Sequence, residues 1–379
     1  MKQLNVLYFL TKLELGGAQK VCLTLHRGLR EDQHNALLIS GAEGVLVNEA
    51  EKTAGCIFLP SFKREISFKG IFQEIKTLRE LIRIMREYKK RYPNLIVHTH
   101  STKAGILGRW AAYFAGIKNR IHTVHGFGFH DFQRWPIWFM IVAIEWLTTL
   151  ITTRIICVSR KDQDQGSKLL PGFAAKSILI RAAVAEDHFI HPAKPLSTFN
   201  PHPIIGTISC FKPQKNLFDL LEAFKEVHDR CPHALLEIVG DGAQRPAIEK
   251  WIQEHKLEQA IKLHGWQADV RPFLRSWDIF ALSSLWEGLP CSVIEARLAG
   301  LAVLAYNVGG ISEVVQDGRN GYLIEPGNKK KLAQLLQALL ENPALLTRLQ
   351  GHTQDLSSFS ARSMITQHEA LYIALEKQL

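Results

Sequence analysis

Two glutamates in the second half of the chain have the residue type and the spacing to hold sugar hydroxyls. Seven residues separate Glu287 from Glu295, and Gly288, Leu289 and Pro290 lead from the first into a helical pattern that contains the second. A helix N-terminus offers free N–H groups and the positive end of the helix dipole, which together suit a phosphate. Glutamates on either side of that phosphate can accept hydrogen bonds from hydroxyls. The pattern therefore predicts a site for a sugar, a diphosphate and a ribose laid in a row.

Apolar runs on both sides of these glutamates predict the strands that position them. Residues 279–282 and 302–306 have the composition of buried strands, so the stretch is a β-loop-α-β unit. In the loop, Gly288 lets the backbone approach a ligand closely, and Pro290 near the first helical turn costs no hydrogen bond. Two glutamates around a helix start are also common without a ligand, one beside the helix dipole and one on a solvated face. The flanking residues decide between these interpretations.

The flanking residues resemble the signature of family 4 glycosyltransferases of the GT-B fold. In that family a Glu-Gly-x-Pro turn precedes the second glutamate, and a Gly-Gly-x-x-Glu element follows, which Gly309, Gly310 and Glu313 supply here. The segment GYLIEPGN at 321–328 also follows as in the family. The resemblance implies an α/β fold with two Rossmann-like domains facing each other across a cleft. It also implies transfer of a sugar from a nucleoside diphosphate to an acceptor, with retention of anomeric configuration.

The resemblance implies a role for each residue of the donor site. Glu287 would hold hydroxyls of the transferred sugar as a catalytic residue, and Glu295 would hold the ribose. A glycine pair follows the first predicted strand, 5–10, and matches the family's glycine-rich loop, although a tight turn without a ligand also explains such a pair. The residues implied to bind the diphosphate are Gly16, Gly17, Lys212, Lys215, Gly288, Leu289 and Pro290.

The loop that contains the two lysines departs from the family pattern. Family members place an arginine shortly before the lysine that matches Lys215, and Cys210 occupies that place here. Lys212 would supply the missing charge as a point cation, without the bidentate geometry of arginine. The alternative is that both lysines are solvated loop residues. The departure bears on donor affinity and leaves the fold prediction unchanged.

Histidines are concentrated between residues 97 and 132. The pattern there predicts a strand, a helix of small residues and a second strand that delivers His125 at its carboxyl end, the edge where ligands bind in open α/β sheets. His100, Lys103 and His125 resemble the acceptor-side and donor-sugar motifs of family members that build polysaccharides. The resemblance implies that His125 is a catalytic residue in contact with the transferred sugar, and that His100 and Lys103 lie on the acceptor side.

Composition predicts an anionic partner for the first half of the chain. The 379 residues are enough for two domains with full cores. Lys and Arg outnumber Asp and Glu by 28 to 16 in residues 1–200, whereas the counts are 18 and 20 in residues 201–379. No aromatic-interleaved strand or recognition-helix pattern indicates a nucleic acid partner. The six cysteines lack paired spacing, which is typical of a reduced, cytoplasmic chain.

Two segments of the first half suggest contact with an anionic lipid surface. A helical pattern in residues 71–90 has a basic face, preceded by further basic residues, although a surface helix packed on its own sheet has the same pattern. Residues 135–153 are mostly apolar, with Glu145 near the middle. We expect a buried helix there, and the alternative is a helix that dips into one leaflet. The basic residues are Lys63, Arg64, Lys69, Lys76, Arg79, Arg83, Arg86 and Lys90.

Proline-rich residues 191–203 predict a linker between two domains. We therefore expect domains at 1–190 and 204–358, and the resemblance implies that the first binds the acceptor and the second the nucleotide sugar. In the family the last helix commonly crosses back, so residues 359–379 are expected to return to the N-terminal domain.

The resemblance implies a hexosyl- or N-acetylhexosaminyltransferase in bacterial cell-surface polysaccharide biosynthesis. Its partners would be a nucleotide-sugar donor, a lipid-linked glycan acceptor and the anionic inner face of the cell membrane, with which the cytoplasmic chain would associate peripherally. No cofactor and no obligatory metal are expected. The alternatives are a nucleotide-sugar 2-epimerase of the same fold, a metal-dependent hydrolase built on the histidines from His98 to His130, and a non-catalytic sugar-nucleotide sensor. Chelator-sensitive activity would favour the hydrolase.

Overall fold

The computed structural model describes residues 3–60, 62, 71–185, 201–352 and 354–377. The chain forms two compact units: unit 1 comprises residues 1–182 and 361–379, and unit 2 comprises residues 183–360. The chain therefore leaves unit 1 after residue 182, earlier than the boundary at 190 that we expect from the sequence. Most of the predicted linker, 191–203, and the basic residues Lys63, Arg64 and Lys69 lie outside the described residues.

Unit 1 contains a sheet of seven parallel strands. Numbered in chain order, these strands are β1 (Asn5–Leu10), β2 (Asn35–Ser40), β3 (Cys56–Phe58), β4 (Ile96–His100), β5 (Asn119–Val124), β6 (Arg154–Cys157) and β7 (Ser177–Leu179). Their order in the sheet is β3-β2-β1-β4-β5-β6-β7. The strand order changes direction between β1 and β4, so the loops after these two strands separate there and leave room for a ligand.

The helices of unit 1 cover the apolar strands of this sheet. They are α1 (Gly17–Glu31), α2 (Val47–Glu51), α3 (Ile71–Arg91), α4 (Thr102–Phe114), α5 (Trp135–Leu150), α6 (Arg160–Leu169) and α13 (Ala361–Glu376). Helix α13 comes from the end of the sequence and packs on α1. A Cβ at Gly28 would lie 2.4 Å from Cδ1 of Ile365, so a larger residue here would require the Ile365 side chain to move. The C-terminal helix thus completes unit 1.

Unit 2 contains a sheet of six parallel strands. The strands are β8 (Ile204–Ile208), β9 (Leu235–Val239), β10 (Ile261–Gly265), β11 (Ile279–Leu282), β12 (Ala302–Tyr306) and β13 (Gly321–Ile324), in the order β10-β9-β8-β11-β12-β13. The helices are α7 (Leu217–His228), α8 (Arg245–Glu254), α9 (Arg271–Ser276), α10 (Cys291–Leu298), α11 (Lys329–Glu341) and α12 (Pro343–Gln350). The predicted strands at 279–282 and 302–306 are confirmed. The switch in strand order falls between β8 and β11, which places the loops of the predicted donor site beside each other.

Helix α5 differs from the expectation of a buried helix. Its buried side chains are Glu145, Thr148 and Thr149, whereas Trp135 is 78% exposed and Phe139 is 65% exposed. The polar side faces α4 because α4 carries its partners: Arg109 donates to Glu145 at 3.1 Å, and the indole of Trp110 donates to Thr148 at 3.1 Å. Across the part of the chain that the structure describes, no helix has the length and apolar content needed to cross a membrane.

Candidate active site

The predicted donor site lies at the switch point of the unit 2 sheet, where two loops are hydrogen-bonded to each other. The loop after β8 forms a short 3₁₀ turn at Pro213–Lys215, and Asn216 starts α7 from the left-handed region with φ of 45°. Ser283, directly after β11, donates its hydroxyl to the carbonyl oxygens of Lys215 and Asn216 at 3.2 and 2.9 Å. The two loops therefore form one fixed edge at the carboxyl ends of adjacent strands.

Lys215 and Glu287 form an ion pair at this edge. The lysine ammonium comes from the loop after β8 and the carboxylate from the loop after β11, and their side chains are only 14% and 9% exposed. The structure thus brings together two residues that lie 72 positions apart in the sequence. A cation and an acceptor-only carboxylate in contact can bind a phosphate and a sugar hydroxyl side by side.

The turn that carries Glu287 rests on the glycine pair that follows β12. The amide of Gly310 donates to the carbonyl oxygen of Gly288 at 2.5 Å. Gly309 has a φ of 54°, and a Cβ there would lie 2.2 Å from the carbonyl oxygen of Glu287. No other residue type fits this position, so the Gly-Gly element has a steric reason: it lets two loop backbones meet directly behind the predicted sugar site.

Helix α10 starts immediately after this turn. Leu289 is buried, Pro290 is the N-cap residue, and the helix begins at Cys291. Glu295 is 5% exposed and lies little more than one turn from that start. The N-terminus of α10 therefore lies between the two glutamates along the chain, in the order that a sugar, a diphosphate and a ribose require.

The departure from the family pattern falls in the same loop. Cys210 is partly exposed and is not part of a disulfide. Lys212 is partly buried, and it caps the 3₁₀ turn that contains Lys215. The two lysines thus lie on one short loop beside α10, and a diphosphate contact for Lys212 stays a prediction.

In unit 1, the predicted glycine-rich loop and the loop after β4 meet at the switch point. The hydroxyls of Thr11 and Ser101, one from each loop, are 2.6 Å apart. Gly16 is the N-cap residue of α1 and Gly17 its first residue. The backbone of Gly16 is extended, with φ of −139°, and a Cβ there would meet the flexible end of Gln19 at 2.5 Å. The glycine pair thus forms the N-terminus of α1, and its phosphate role stays a prediction.

The histidines of unit 1 divide into separate groups. His100, at the end of β4, is fully buried, and its Nδ1 is 2.9 Å from Nε2 of His125. His98 is held between the hydroxyls of Tyr372 at 2.6 Å and Thr123 at 2.7 Å. His122 instead packs against α4, where a Cβ at Gly105 would lie 2.5 Å from its Cε1.

Two residues predicted on the acceptor side are buried. His100 lies behind His125 and has no exposed surface, and its acceptor-side position stays a prediction. Lys103 forms an ion pair with Glu74 of α3 at 2.6 Å and is also largely buried. Within the described ranges, no group of three or more His, Cys, Asp or Glu side chains is arranged to hold a metal ion.

Burial keeps the contacting histidines uncharged at neutral pH. Burial, followed by the nearby ring of His368, lowers the pKa of His125 to about 3. Burial also lowers the pKa of His100 well below its ordinary value, and the neighbouring His98 and His125 act in the same direction. Two neutral imidazoles in contact share one hydrogen bond, in which one ring donates and the other accepts.

The sequence interpretation missed the contribution of α13 to this region. Tyr372 reaches His98, and the hydroxyls of Tyr372 and Tyr8 are 3.1 Å apart. His368, one turn earlier on α13, stacks on His98 with 5.6 Å between ring centroids. The spacing of His368 and Tyr372 places both on one helix face, which was the available signal.

The fold and the two sites define a class of protein, and known structures have the same fold. The structure of Anabaena HepE in complex with UDP and glucose aligns with a TM-score of 0.81 at 19% identity, covering 97% of this chain and 99% of that one. Sucrose-phosphate synthase from Thermosynechococcus elongatus aligns with a TM-score of 0.80 at 18% identity, covering 100% of both chains. The class is the GT-B fold, with two Rossmann-like domains.

The sequence itself identifies the family. Residues 15–179 match the model of Glycosyltransferase Family 4, and residues 193–354 match that of Glycosyl transferases group 1. A UDP-Gal:alpha-D-GlcNAc-diphosphoundecaprenol alpha-1,3-galactosyltransferase of Escherichia coli is 32% identical over 322 residues, which cover 82% of this chain and 81% of that protein. The chain belongs to the family 4 glycosyltransferases. The epimerase and hydrolase alternatives receive no support from these relatives.

Proposed function

We propose that this glycosyltransferase moves a hexosyl or N-acetylhexosaminyl residue from a UDP-sugar to a glycan carried on a polyprenyl diphosphate, with retention of configuration. The acceptor class follows the Escherichia coli relative, whose name specifies a sugar linked to diphosphoundecaprenol. The product would enter a bacterial surface polysaccharide. The proposal places the enzyme on the inner face of the cell membrane, where it would meet both the lipid-linked acceptor and the nucleotide-sugar donor.

The contact between Lys215 and Glu287 at the start of α10 is the observation that carries the proposed donor site. A nearly buried cation and carboxylate stand at the switch point of the unit 2 sheet, in front of a helix N-terminus. In the proposed complex, Lys215 moves from the carboxylate to the diphosphate. Glu287 is then free to accept hydrogen bonds from hydroxyls of the transferred sugar, and Glu295 holds the ribose.

The proposed chemical step takes place on one face of the transferred sugar. The bond from C1 to the phosphate oxygen breaks and its electron pair goes to the phosphate. The acceptor hydroxyl forms the new bond to C1 on the same face and gives its proton to that phosphate oxygen. Lys215, Lys212 and the first N–H groups of α10 stabilise the charge that develops on the diphosphate, as do the amides at Gly16 and Gly17. His125 contacts the sugar.

No metal ion has a role in this proposal. The negative charge of the leaving diphosphate is balanced by lysine side chains and by helix N-termini, and the helix N-termini are in place before the donor binds. We expect EDTA to leave the transfer rate unchanged within about twofold. A rate that falls at least tenfold with EDTA and returns with Mg²⁺ or Mn²⁺ would refute this part of the proposal.

An exposed apolar surface on unit 1 supports the proposed membrane association. It consists of side chains on α5, the loop before it and the C-terminal end of α4. Helix α5 presents its apolar side outwards because its polar side is occupied by Arg109 and Trp110. Aromatic rings at an exposed helix face are typical of membrane interfaces. The members of this surface are Tyr113, Phe114, Phe132, Trp135, Ile137, Phe139, Met140, Trp146, Leu147 and Leu150.

The basic face of α3 adjoins this apolar surface. Arg86 donates to the carbonyl oxygen of Phe114 at 3.2 Å, and Lys89 donates to that of Gly116 at 2.8 Å. The other predicted basic residues of α3, at 76, 79, 83 and 90, are exposed as expected. Positive charge beside exposed aromatic rings matches an anionic bilayer, to which each basic residue adds about 1 kcal/mol near the surface.

The transfer itself can be tested with the purified chain. UDP-galactose, UDP-glucose and UDP-N-acetylglucosamine are each supplied with a GlcNAc-diphospho-polyprenol acceptor, and the lipid products are analysed by mass spectrometry. We expect one donor to raise the acceptor mass by one sugar, and Lys215→Met to abolish most of this product. Release of UDP that does not depend on the lipid, with no product from any donor, would contradict the acceptor class.

Membrane association has its own test, in which protein is sedimented with vesicles of anionic and neutral lipid. The double variant Trp135→Ser/Phe139→Ser should lose most of its binding to anionic vesicles. Val45→Ser is the matched control, because Val45 is an apolar residue of unit 1 that is 54% exposed away from α5. Equal sedimentation of the double variant and the control would refute this surface as the membrane contact.

A further inference from the structure

His100 and His125 are in contact at the carboxyl edge of the unit 1 sheet. The strands β4 and β5 that deliver them are adjacent and parallel, with His100 paired in register with Thr123. The ring of His100 is buried and that of His125 is partly exposed, with 5.2 Å between ring centroids. Nδ1 of His100 and Nε2 of His125 are 2.9 Å apart, so one nitrogen of each ring is used in this contact.

The other nitrogen of His100 indicates which ring donates. Nε2 of His100 is buried and finds no hydrogen-bond partner within the described part of the chain. Buried N–H groups without an acceptor are rarer in proteins than acceptors without a donor. The proton of His100 therefore lies on Nδ1 and is donated to Nε2 of His125. Because both rings are neutral, His125 then carries its own proton on Nδ1.

The surroundings of His100 fix the orientation of its ring. Its centroid is 4.4 Å from that of His98 and 5.9 Å from that of Tyr8. His98 is itself fixed at both nitrogens, by Tyr372 and Thr123. The donor that faces His125 is thus held by a packed layer that includes α13.

We propose that His100 is a positioning residue that fixes the tautomer of His125, so that His125 offers Nδ1–H to a hydroxyl of the transferred sugar. This inference rests on the proposed function, because the sugar is the group that His125 would contact. With Nε2 already accepting from His100, His125 acts as a hydrogen-bond donor and does not remove a proton from the acceptor. That role agrees with a step in which the leaving phosphate takes the proton.

Substitutions of His100 that keep or lose a donor at the Nδ1 position separate positioning from simple packing. In His100→Asn the amide nitrogen can occupy the place of Nδ1, whereas in His100→Gln it lies farther out, near the place of Nε2. We expect His100→Asn to keep about a third or more of kcat, and His100→Gln and His100→Leu to lose about tenfold or more, with the KM for the donor changed less than about twofold. Equal kcat values in the Asn and Gln variants, with equal melting temperatures, would overturn the proposal.

A double substitution tests whether His100 acts through His125. In a His125→Ala background, adding His100→Leu should lower kcat/KM by less than about twofold, because the residue that His100 positions is already absent. A direct contact between His100 and the acceptor predicts instead that the two losses multiply, and that result would contradict the positioning role.

A measurement that does not depend on catalysis separates failure of this inference from failure of the proposed function. Nitrogen-15 spectra of the imidazoles report the tautomer of each neutral histidine, with His125→Ala supplying the assignment. We expect His125 to be protonated at Nδ1 in the wild-type chain and in His100→Asn, and to become a mixture of tautomers in His100→Leu. Protonation at Nε2 of His125 in the wild-type chain would refute the inference, whichever sugar or acceptor the enzyme uses.

Discussion

Replacing Lys215 by methionine should weaken UDP binding far more than the loss of an average surface charge. The substitution removes the cation of the ion pair and leaves Glu287, 9% exposed, facing the place of the diphosphate. At about 4 Å and an effective dielectric constant of about 20, one pair of unit charges is worth about 4 kcal/mol. Part of this energy is offset by water that solvates the free diphosphate. We therefore expect the Kd for UDP to rise about 10² to 10³-fold.

The pairing with Glu287 makes a second expectation specific to this structure. In Lys215→Met/Glu287→Gln the carboxylate is also neutral, so the repulsion of the diphosphate disappears and UDP affinity should recover about tenfold relative to the single variant. UDP is the right ligand because it lacks the sugar that Glu287 is proposed to hold. Isothermal titration calorimetry at one fixed salt concentration measures both effects.

A control lysine on the same unit shows whether the effect belongs to the site. Lys225 is 39% exposed on α7 and pairs with Asp229 at 2.8 Å, so Lys225→Met removes an equal charge from a solvated position. Its Kd for UDP should stay within about twofold of the wild type. The reasoning fails if Lys215→Met binds UDP within threefold of that control, or if the double variant binds more weakly than Lys215→Met alone.

Three further predictions follow from buried features of the two units. Glu145→Ala leaves Arg109 buried without its carboxylate and should cost about 3–5 kcal/mol, seen as a fall of several degrees in the melting temperature, which Arg109→Met/Glu145→Leu should largely restore. Gly309→Ala forces a Cβ against the Glu287 carbonyl and should raise the donor KM about tenfold or more. Gly318→Ala should not raise it, because Gly318 has a similar φ of 71° with nothing within 4 Å of the added Cβ. Burial lowers the pKa of His125 to about 3 and of His368 to about 4, so below pH 6.5 the unfolded chain takes up protons that the folded chain does not. The free energy of unfolding, measured in urea, should therefore be highest above about pH 6.5. It should fall by up to about 1.4 kcal/mol per pH unit for each such histidine as the pH drops towards 4. Equal free energies of unfolding at pH 7 and pH 5 would contradict the lowered pKa values.

The two strands of unit 2 on either side of the glutamates could be predicted from the sequence residue by residue. Strands such as Ile279–Leu282 and Ala302–Tyr306 are covered on both faces, so each appears as a short continuous apolar run between turn residues. The loop between β11 and α10 could also be predicted, because Glu287, Gly288 and Pro290 are neighbours in the chain. The ion pair of Glu287 with Lys215 could not, since it depends on which strands become adjacent in the sheet.

In unit 1 the sequence prediction falls short where a residue has its partner far away in the sequence. Glu145 looks like a lone charge in an apolar helix, and its partner Arg109 is 36 residues earlier. That pairing turns the polar side of α5 inwards. The apolar side chains of α5 are therefore exposed, whereas hydrophobicity alone predicts that they are buried. His100 ends a strand, and its ring is fully buried in contact with the rings of His98 and His125. Periodicity identifies the faces of an element and gives no information on which face is covered by a distant segment.

Helix α13 determines when unit 1 can be completed during synthesis on the ribosome. Residues 183–360, all of unit 2, are synthesised between the two parts of unit 1. Synthesis runs at about 5–20 residues per second, so the nascent first unit waits about ten seconds or more for the helix that carries Tyr372. During this interval His98 and Tyr8 lack the hydroxyl that joins them in the finished chain. The unit made first is therefore completed last, after unit 2 has had time to fold.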